Sequence, residues 1–420
     1  MMRVTILLLS ICLSLSTCAN RAAENCNNAW VQSSPAQSFP QGAGVNIHFT
    51  DPAPGEVKMI ADAGFRWVRM DFVWAVTEKR RGVYDFSAYD RLIAELDRYR
   101  LNAVFILDYG NPLYTKDKAV RTEEARQAFA RWSVATGKHF ANRGVVWEVF
   151  NEPNIEMFWP PQPNVDEYIA LALTVGRAFR AELPNEKLIG PATAIDIPFL
   201  ESCFKAGLLD YWTAVSVHPY RQDDPETVAS DYCGLRKLIQ LYSKGRDVPI
   251  ISGEWGYSSV WRKMDEQKQG EMLARQLLTN AANGIPISIW YDWQDDGART
   301  DEDEHHFGLV RYSHRLSADH ETKPAFQTAQ AVNSFLAGAT FQTRLPVGGG
   351  EDYVLVFWKD NRERLAAWTT SGHVKRLTVP IKGSFTLVDY AGVGRGRLSS
   401  NGEGISIQLS SGPSYLTPIN

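Results

Sequence analysis

Over residues 42–338, short apolar runs alternate with longer amphipathic stretches. Each apolar run is continuous, which is typical of a strand covered on both faces in a parallel sheet. The longer stretches repeat apolar positions with the period of a helix. Strands are predicted at Gly44–Phe49, Phe65–Phe72, Asn102–Tyr109, Val145–Asn151, Lys187–Ala192, Thr213–His218, Val248–Glu254 and Pro286–Trp290. Helices are predicted at Tyr89–Tyr99, Thr122–Ala141, Asp166–Glu182, Ile197–Leu209, Glu226–Ser243, Glu266–Asn283 and Pro324–Leu336.

Eight strands, nearly all followed by a helix, predict a closed (β/α)8 TIM barrel over residues 42–338. The competing interpretation is a doubly wound open sheet, which usually has a glycine-rich phosphate-binding turn after its first strand. The sequence has no such turn after Gly44–Phe49. The barrel is therefore preferred, and its active site is expected at the carboxyl ends of the strands.

Residues 339–420 change to short strand-like runs separated by glycine, aspartate, asparagine and serine. The runs are Tyr353–Trp358, Arg364–Trp368, Lys375–Val379, Phe385–Val388 and Ile405–Leu409. This spacing predicts a small antiparallel β-sandwich domain. A packing role against the barrel is preferred to the alternative, an independent sugar-binding module.

The N-terminus has the features of an export signal. Arg3 supplies a positive charge before the apolar run Val4–Leu15, which is too short to span a bilayer. We expect a signal peptide over residues 1–18 and a polar linker or mature arm over residues 19–41. Leu15-Ser16-Thr17-Cys18 resembles a lipobox, so lipid attachment at Cys18 and ordinary cleavage nearby are alternatives. The protein is expected to be secreted, periplasmic or lipid-anchored at the bacterial envelope, without a membrane span.

Composition narrows the classes of function. A net charge of −4 over 420 residues, with no long block of lysine and arginine, provides no basic surface for nucleic acid. The 13 tryptophans suit a large core and also a sugar-binding cleft, where flat rings stack on pyranose faces. No cysteine or histidine spacing resembles a zinc site, and neither a metal nor a cofactor is expected. A Cys203–Cys233 disulfide and buried free thiols are equally favoured for an exported chain.

Polar and aromatic residues gather where the predicted strands end. The side chains singled out there are His48, Arg69, Asp108, Asn151, Glu152, His218, Tyr220, Glu254 and Trp290. Glu152 and Glu254 end the fourth and seventh strands, where an unpaired buried charge would be costly. Two carboxylates across one barrel mouth fit the requirement of glycoside hydrolysis for an acid/base and a nucleophile that flank the bond.

Asn151-Glu152-Pro153 at the end of the fourth strand and Glu254-Trp255-Gly256 at the end of the seventh resemble the clan A glycoside hydrolases. Within the clan, Asn151-Glu152-Pro153-Asn154 followed by Phe158-Trp159 is most similar to family 39. Gly82-Val83-Tyr84-Asp85-Phe86 and Leu107-Asp108-Tyr109-Gly110-Asn111 resemble the bacterial exopolysaccharide-degrading members of that family. The resemblance covers about residues 42–338 and implies the barrel fold and a carbohydrate substrate.

Some features are shared with another family of the clan. Arg69 and His218-x-Tyr220 are equally at home in family 5. Asp71 stands two residues after Arg69, where the family 39 xylosidases usually have a histidine. This departure disfavours a plain xylosidase and leaves the sugar in the first subsite open.

The resemblance implies a role for each residue at the strand ends. Glu152 would be the acid/base and Glu254 the ionised nucleophile of a retaining double displacement. Asn151 would bind the sugar 2-hydroxyl, and Arg69 and Tyr220 would hold Glu254 through charge-assisted hydrogen bonds. The other expected contacts with carbohydrate are His48, Asp108, His218 and Trp290, the last as a floor under the sugar.

The predicted function is a cofactor-free retaining glycosidase that hydrolyses β-O-glycosidic bonds in a polysaccharide or oligosaccharide. One alternative is a transglycosylase, which would use the same residues and pass the sugar to another sugar. Another alternative is a catalytically inactive barrel that only binds carbohydrate. The pair of Glu152 and Glu254 disfavours the inactive barrel, because a binding protein does not need both carboxylates.

Overall fold

The computed structural model describes residues 39–313 and 320–419. The predicted signal peptide, Cys18 and most of the predicted arm over residues 19–41 lie outside the described residues. Within the described ranges, no helix combines the length and the apolar character needed to cross a membrane.

Eight parallel strands close into a barrel in sequence order, which confirms the predicted fold. Their bounds are β1 (Gly42–Asn46), β2 (Trp67–Val73), β3 (Asn102–Asp108), β4 (Val145–Val149), β5 (Lys187–Ala194), β6 (Ala214–His218), β7 (Ile250–Trp255) and β8 (Ile287–Trp290). β4 and β6 are buried at every position, because helices cover the outside of the barrel and side chains fill its inside. The carboxyl ends of the strands form one rim, here called the mouth.

Helices connect the strands and cover the barrel. Those of the described residues are α1 (Glu56–Asp62), α2 (Trp74–Thr77), α3 (Ser87–Arg98), α4 (Glu123–His139), α5 (Val165–Glu182), α6 (Ile197–Lys205), α7 (Val228–Tyr242), α8 (Glu266–Ala282) and α9 (Pro324–Leu336). Short 3-10 turns lie at Leu208–Asp210, Pro225–Thr227 and Asp303–His306. Helices α1 and α2 were not predicted, because 7 and 4 residues are too few to display a helical period.

The C-terminal region is antiparallel, as predicted. Its strands are β9 (Thr340–Arg344), β10 (Asp352–Lys359), β11 (Arg362–Thr369), β12 (Lys375–Val379), β13 (Ser384–Asp389), β14 (Gly394–Ser399), β15 (Ile405–Leu409) and β16 (Ser414–Pro418). A six-stranded sheet has the order β14-β13-β16-β11-β10-β9, and β12 pairs with β15. Apolar side chains from both sheets, among them Val354, Leu365, Ile405 and Ile407, form one buried cluster. The two sheets therefore pack as a small sandwich.

A buried ion pair joins the barrel to the C-terminal domain. Glu226, in the turn after β6, accepts hydrogen bonds from Nε and a terminal nitrogen of Arg275 on α8, at 2.8 and 2.6 Å. The indole N–H of Trp368 on β11 donates to the same carboxylate at 2.6 Å. All three side chains are buried. The loop after β6 is therefore fixed between the two domains.

Neither of the two alternatives left open for Cys203 and Cys233, a mutual disulfide or buried free thiols, describes both residues. Cys203 on α6 is a free thiol, and Cys233 on α7 is disulfide-bonded to a partner that lies outside the described residues. Cys203 packs in the main hydrophobic core, where cysteine behaves as a small apolar side chain. Burial raises the pKa of Cys203, so this thiol stays protonated and unreactive.

Candidate active site

The chain turns sharply after β4, where the expected acid/base Glu152 lies. Phe150 and Glu152 have φ values of 67° and 45°, a left-handed conformation that is uncommon for residues other than glycine. The backbone N–H of Glu152 donates to the carbonyl oxygen of Ala192 at 2.9 Å and fixes the turn against β5. Strained residues of this kind concentrate at functional sites. The turn brings both Asn151 and Glu152 to the mouth.

Glu152 and Glu254 face each other across the mouth. One carboxylate oxygen of Glu152 and one of Glu254 lie within 4.8 Å of each other. Each side chain is 13% exposed, so both are accessible from the mouth. Retaining glycosidases have carboxyl groups about 5–5.5 Å apart, whereas inverting enzymes separate them by about 6.5–9.5 Å to admit a water. The arrangement fits the shorter spacing.

A fully buried guanidinium connects this pair to the barrel interior. Arg69 on β2 donates through Nε to Glu148 at 2.7 Å and through one terminal nitrogen to Glu254 at 2.6 Å. Its other terminal nitrogen donates to Oδ1 of Asn151 at 2.7 Å and to Nε2 of His218 at 3.1 Å. Burial alone would lower the pKa of Arg69, but the charges of Glu148 and Glu254 raise it. Arg69 is therefore a permanent cation beside the expected nucleophile.

Arg69 also decides the tautomer of His218. A guanidinium can only donate hydrogen bonds, so Nε2 of His218 accepts and the ring proton resides on Nδ1. Nδ1 lies 2.8 Å from Oε1 of Glu152, and the N–H donates to that oxygen. His218 therefore binds one carboxylate oxygen of Glu152, Oε1, through its ring N–H.

Tyr220 holds the second oxygen of Glu254. Its hydroxyl donates to Oε1 at 3.0 Å, whereas Arg69 binds Oε2. Burial and the charge of Glu254 raise the pKa of Tyr220 well above its usual value. The phenol therefore remains a neutral donor. The amide of Asn46 on β1 adds a long contact of 3.5 Å to Oε2 of Glu254.

Trp290 was expected to form the floor under the sugar, and the structure leaves it without an exposed face. Its ring is fully buried, and its indole N–H donates to the carbonyl oxygen of Phe307 at 3.2 Å. The next residue, Tyr291, lies at the mouth instead. Its ring packs edge-on against the rings of His48 and Tyr220, with centroids 5.7 and 6.5 Å apart.

Asp108 was expected to contact substrate, and the structure places it below the surface of the mouth. The side chain is completely buried. Burial, followed by the charge of Asp71 and a hydrogen bond with that carboxylate, raises the pKa of Asp108 well above its usual value. Burial and the neighbouring carboxylate of Asp71 both favour the protonated form of Asp108. Asp71, which is half-buried, is the member of this pair nearer to the solvent.

Glu148 was not among the predicted site residues. It is the fourth of the five residues of β4, is completely buried and pairs with Arg69. The sequence feature that could have identified Glu148 is its position as a carboxylate within the apolar run Val145–Val149. A buried carboxylate at that place requires a cation, since an unpaired buried charge is very costly.

His48 lies on the opposite side of the mouth and forms an ion pair with Asp292. Its Nε2 is 3.5 Å from Oδ2 of Asp292, which is fully buried. Burial alone would lower the pKa of His48, but the hydrogen bond and the charge of Asp292 raise it to about 9. Burial raises the pKa of Asp292 to about 7, against the opposing effect of His48. The imidazole is therefore cationic at neutral pH.

Replacing Asp292 with asparagine is expected to return His48 to a neutral ring at pH 7.5. The variant removes the hydrogen bond to the carboxylate and its charge, which together raise the pKa of His48, and leaves the opposing effect of burial. NMR titration of the ring Cε1–H of His48 should show the pKa fall from about 9 to about its ordinary value of 6.5 or below. Asp296→Asn, which removes a weaker charge, should produce a smaller fall. An unchanged titration in Asp292→Asn would refute the pairing.

Two groups of side chains at the mouth are close enough to hold a metal ion. One consists of Glu152, His218 and Glu254, and the other of His48, Asp292 and Asp296. In the first group, Arg69 already supplies a positive charge to Glu254. In the second, the cationic His48 already pairs with Asp292. In each group, a cation of the protein therefore already pairs with one of the carboxylates.

A known family of enzymes matches this barrel with its pair of carboxylates. Residues 33–297 match the family model described as cellulase, glycosyl hydrolase family 5. The chain is a glycoside hydrolase of clan A. Among curated proteins, none matches the chain.

The clan A chain is most like family 39 in its three-dimensional structure. A family 39 glycoside hydrolase from the gut symbiont Bacteroides cellulosilyticus WH2 has a TM-score of 0.78 and 25% identity, covering 91% of this chain and 81% of that one. A monomeric beta-xylosidase from Caulobacter crescentus CB15 has a TM-score of 0.61 and 17% identity, covering 92% and 98%. A conserved exported protein from Bacteroides fragilis has a TM-score of 0.68 and 12% identity, covering 92% and 99%. The last two similarities concern the fold alone.

Proposed function

We propose that this glycoside hydrolase cleaves β-O-glycosidic bonds with retention of configuration, with Glu152 as acid/base and Glu254 as nucleophile. The observation that carries the proposal is the approach of their carboxylate oxygens to within 4.8 Å across one mouth. This spacing leaves no room for a water between nucleophile and sugar, as inversion would require. Membership of clan A supports the same assignment.

In the first step, a carboxylate oxygen of Glu254 attacks the anomeric carbon while Glu152 gives its proton to the departing oxygen. The bond to the leaving group breaks, and a covalent glycosyl-enzyme forms. Arg69 and Tyr220 hold the two oxygens of Glu254, at 2.6 and 3.0 Å, and keep the carboxylate aimed at the sugar. Asn151, oriented by Arg69, would bind the 2-hydroxyl.

In the second step, Glu152 acts as a base. It takes a proton from a water whose oxygen attacks the anomeric carbon, and Glu254 leaves as a carboxylate. His218 supports both steps, because its Nδ1–H donates to one oxygen of Glu152 and directs proton transfer to the other. The sugar is released with its original configuration, and Glu152 is protonated again.

The proposed substrate class rests on the side chains of the mouth, and the proposed location rests on the N-terminal sequence. We infer a β-linked polysaccharide or oligosaccharide, since the mouth offers carboxylates and aromatic rings that suit sugar hydroxyls and sugar faces. Export is inferred from Arg3 and the apolar run Val4–Leu15.

The test of the proposal is the configuration of the first product. A panel of aryl β-glycosides and β-linked glycans would identify a hydrolysed substrate, and proton NMR would follow its anomeric signal during the first minutes. We expect the β-anomer to appear first and the α-anomer to follow by mutarotation. Initial release of the α-anomer would show inversion, and absence of hydrolysis over the whole panel would contradict a glycosidase.

A further inference from the structure

A platform of two aromatic rings and one ammonium group borders the candidate acid/base. The rings of Tyr109 and Phe158 stack with centroids 5.7 Å apart and planes 11° from parallel. The Nζ of Lys118 lies 5.0 Å from the centroid of each ring. The ring of Phe150, which directly precedes Asn151, packs edge-on against Tyr109 at 5.3 Å. These contacts fix the platform to the turn that carries Glu152.

Backbone geometry holds Lys118 over the rings. The loop after β3 folds back so closely that a β carbon on Gly110 would lie 2.1 Å from the carbonyl oxygen of Asp117. Only glycine allows this approach. Asp117 in turn accepts from the backbone N–H of Ala119 at 2.9 Å and pairs with Arg121 at 2.8 Å. The ammonium group is therefore held over the rings by the fold of its loop.

The platform lies on the leaving-group side of the candidate site. The general acid must lie beside the leaving oxygen. The leaving group therefore extends away from Glu254, over β4 and the strands next to it. Tyr109 follows β3, and Phe158 belongs to the loop after β4. Asp292 and His48 follow the opposite strands, β8 and β1, and would face the sugar that becomes attached to Glu254.

Charge is distributed unequally between the two sides. Asp292 and Asp296 lie close enough to His48 to raise its pKa, so the glycone side carries carboxylates. Asp71 lies between the two sides, since it raises the pKa of both His48 and Tyr109. The cations at the mouth already have carboxylate partners, Arg69 with Glu148 and Glu254, and His48 with Asp292. Lys118 differs, because none of the described residues forms an ion pair with it and its side chain is exposed, with the ammonium over the two rings.

We propose that Tyr109, Phe158 and Lys118 form the subsite for the leaving group, and that this subsite takes a sugar bearing a carboxylate, namely a hexuronic acid. The two rings provide apolar contact for a pyranose. The ammonium of Lys118 pairs with the carboxylate of the sugar. The assignment to the leaving-group side rests on the proposed function, whereas the preference for a carboxylate rests on the platform itself.

The experiment compares the binding of methyl β-D-glucuronide and methyl β-D-glucoside, which differ at one carbon. Ligand-observed NMR titrations at low ionic strength would use the wild-type protein, Lys118→Gln and Lys116→Gln. Lys116 is an exposed lysine of the same loop and provides a control with the same change of charge. We expect the glucuronide to bind wild type about threefold more tightly than the glucoside, as suits one exposed ion pair.

The preference should vanish in Lys118→Gln, persist in Lys116→Gln and disappear at high salt, since salt screens exposed charges. Equal affinities in wild type, no binding of the glucuronide, or a preference that survives in Lys118→Gln would each overturn the subsite. Binding of methyl glycosides needs no catalysis. If no glycoside is hydrolysed while the Lys118-dependent preference is present, the proposed glycosidase function fails and the binding site does not.

Discussion

Replacement of Glu254 with glycine is expected to lower the kcat of an activated aryl glycoside on the order of 10⁴-fold or more, as loss of a nucleophile does in other covalent mechanisms. Glycine removes the carboxylate that would attack the anomeric carbon and leaves a gap beside Arg69. The remaining partner of Arg69, Glu148, keeps its buried charge balanced, so the fold should survive. The measurement is steady-state release of the nitrophenolate, with circular dichroism to confirm folding.

Added azide should restore part of this activity, because a small anion can enter the gap and attack from the same face. The expected product is the α-glycosyl azide. Glu152→Ala is the matched comparison, and it should be impaired mainly on substrates with poor leaving groups, since a good one departs without a proton. If both variants kept rates close to that of wild type, the assignment of the pair would be wrong.

Glu226→Ala is expected to lower the free energy of unfolding by about 3–5 kcal/mol, the usual cost of breaking a buried ion pair. The substitution removes the acceptor of both Arg275 and the Trp368 indole N–H. Asp224, at 2.7 Å, remains near Arg275 but is partly exposed. The loss would be measured as the shift in the midpoint of urea unfolding between wild type and variant, with tryptophan fluorescence as the probe.

Asp62→Ala is the control for this effect. It removes an exposed pair with Lys58 within α1 and should leave the midpoint unchanged. Trp368→Phe, which keeps an aromatic ring beside Tyr353 and removes only the N–H donor, should give an intermediate loss. A midpoint in Glu226→Ala equal to that of Asp62→Ala would mean that this ion pair does not stabilise the junction between the domains.

The barrel could be predicted because its strands are continuous apolar runs and its longer helices have a clear period. All eight predicted barrel strands are present, with ends displaced by a few residues. The strands β9, β14 and β16 were missed. β14, for example, has the sequence Gly-Arg-Gly-Arg-Leu-Ser and is largely exposed, so hydrophobic periodicity cannot reveal it. Such strands are formed by pairing with a neighbour and not by their own composition.

The candidate site was predictable to the extent that the ends of parallel strands converge. Arg69, Asn151, His218, Tyr220 and the two glutamates all meet at the mouth. Their catalytic roles stay predictions. Trp290 is buried through partners distant in sequence, among them the carbonyl oxygen of Phe307 and the ring of Tyr257, and such packing has no local sequence signal. The burial of Cys203 as a free thiol could not be predicted for the same reason, because its surroundings are the core of the whole barrel.

Arg69 stands on β2 and hydrogen-bonds to side chains of β4, β6 and β7 or of the turn that follows β4. One side chain thus connects four strands of the barrel, and any widening of the mouth would stretch a charge-assisted hydrogen bond. The candidate catalytic carboxylates are attached to this stiff frame, whereas the rings and charges around them come from the loops. During evolution, insertions and substitutions in those loops can therefore exchange one glycan for another without the chemistry having to be rebuilt.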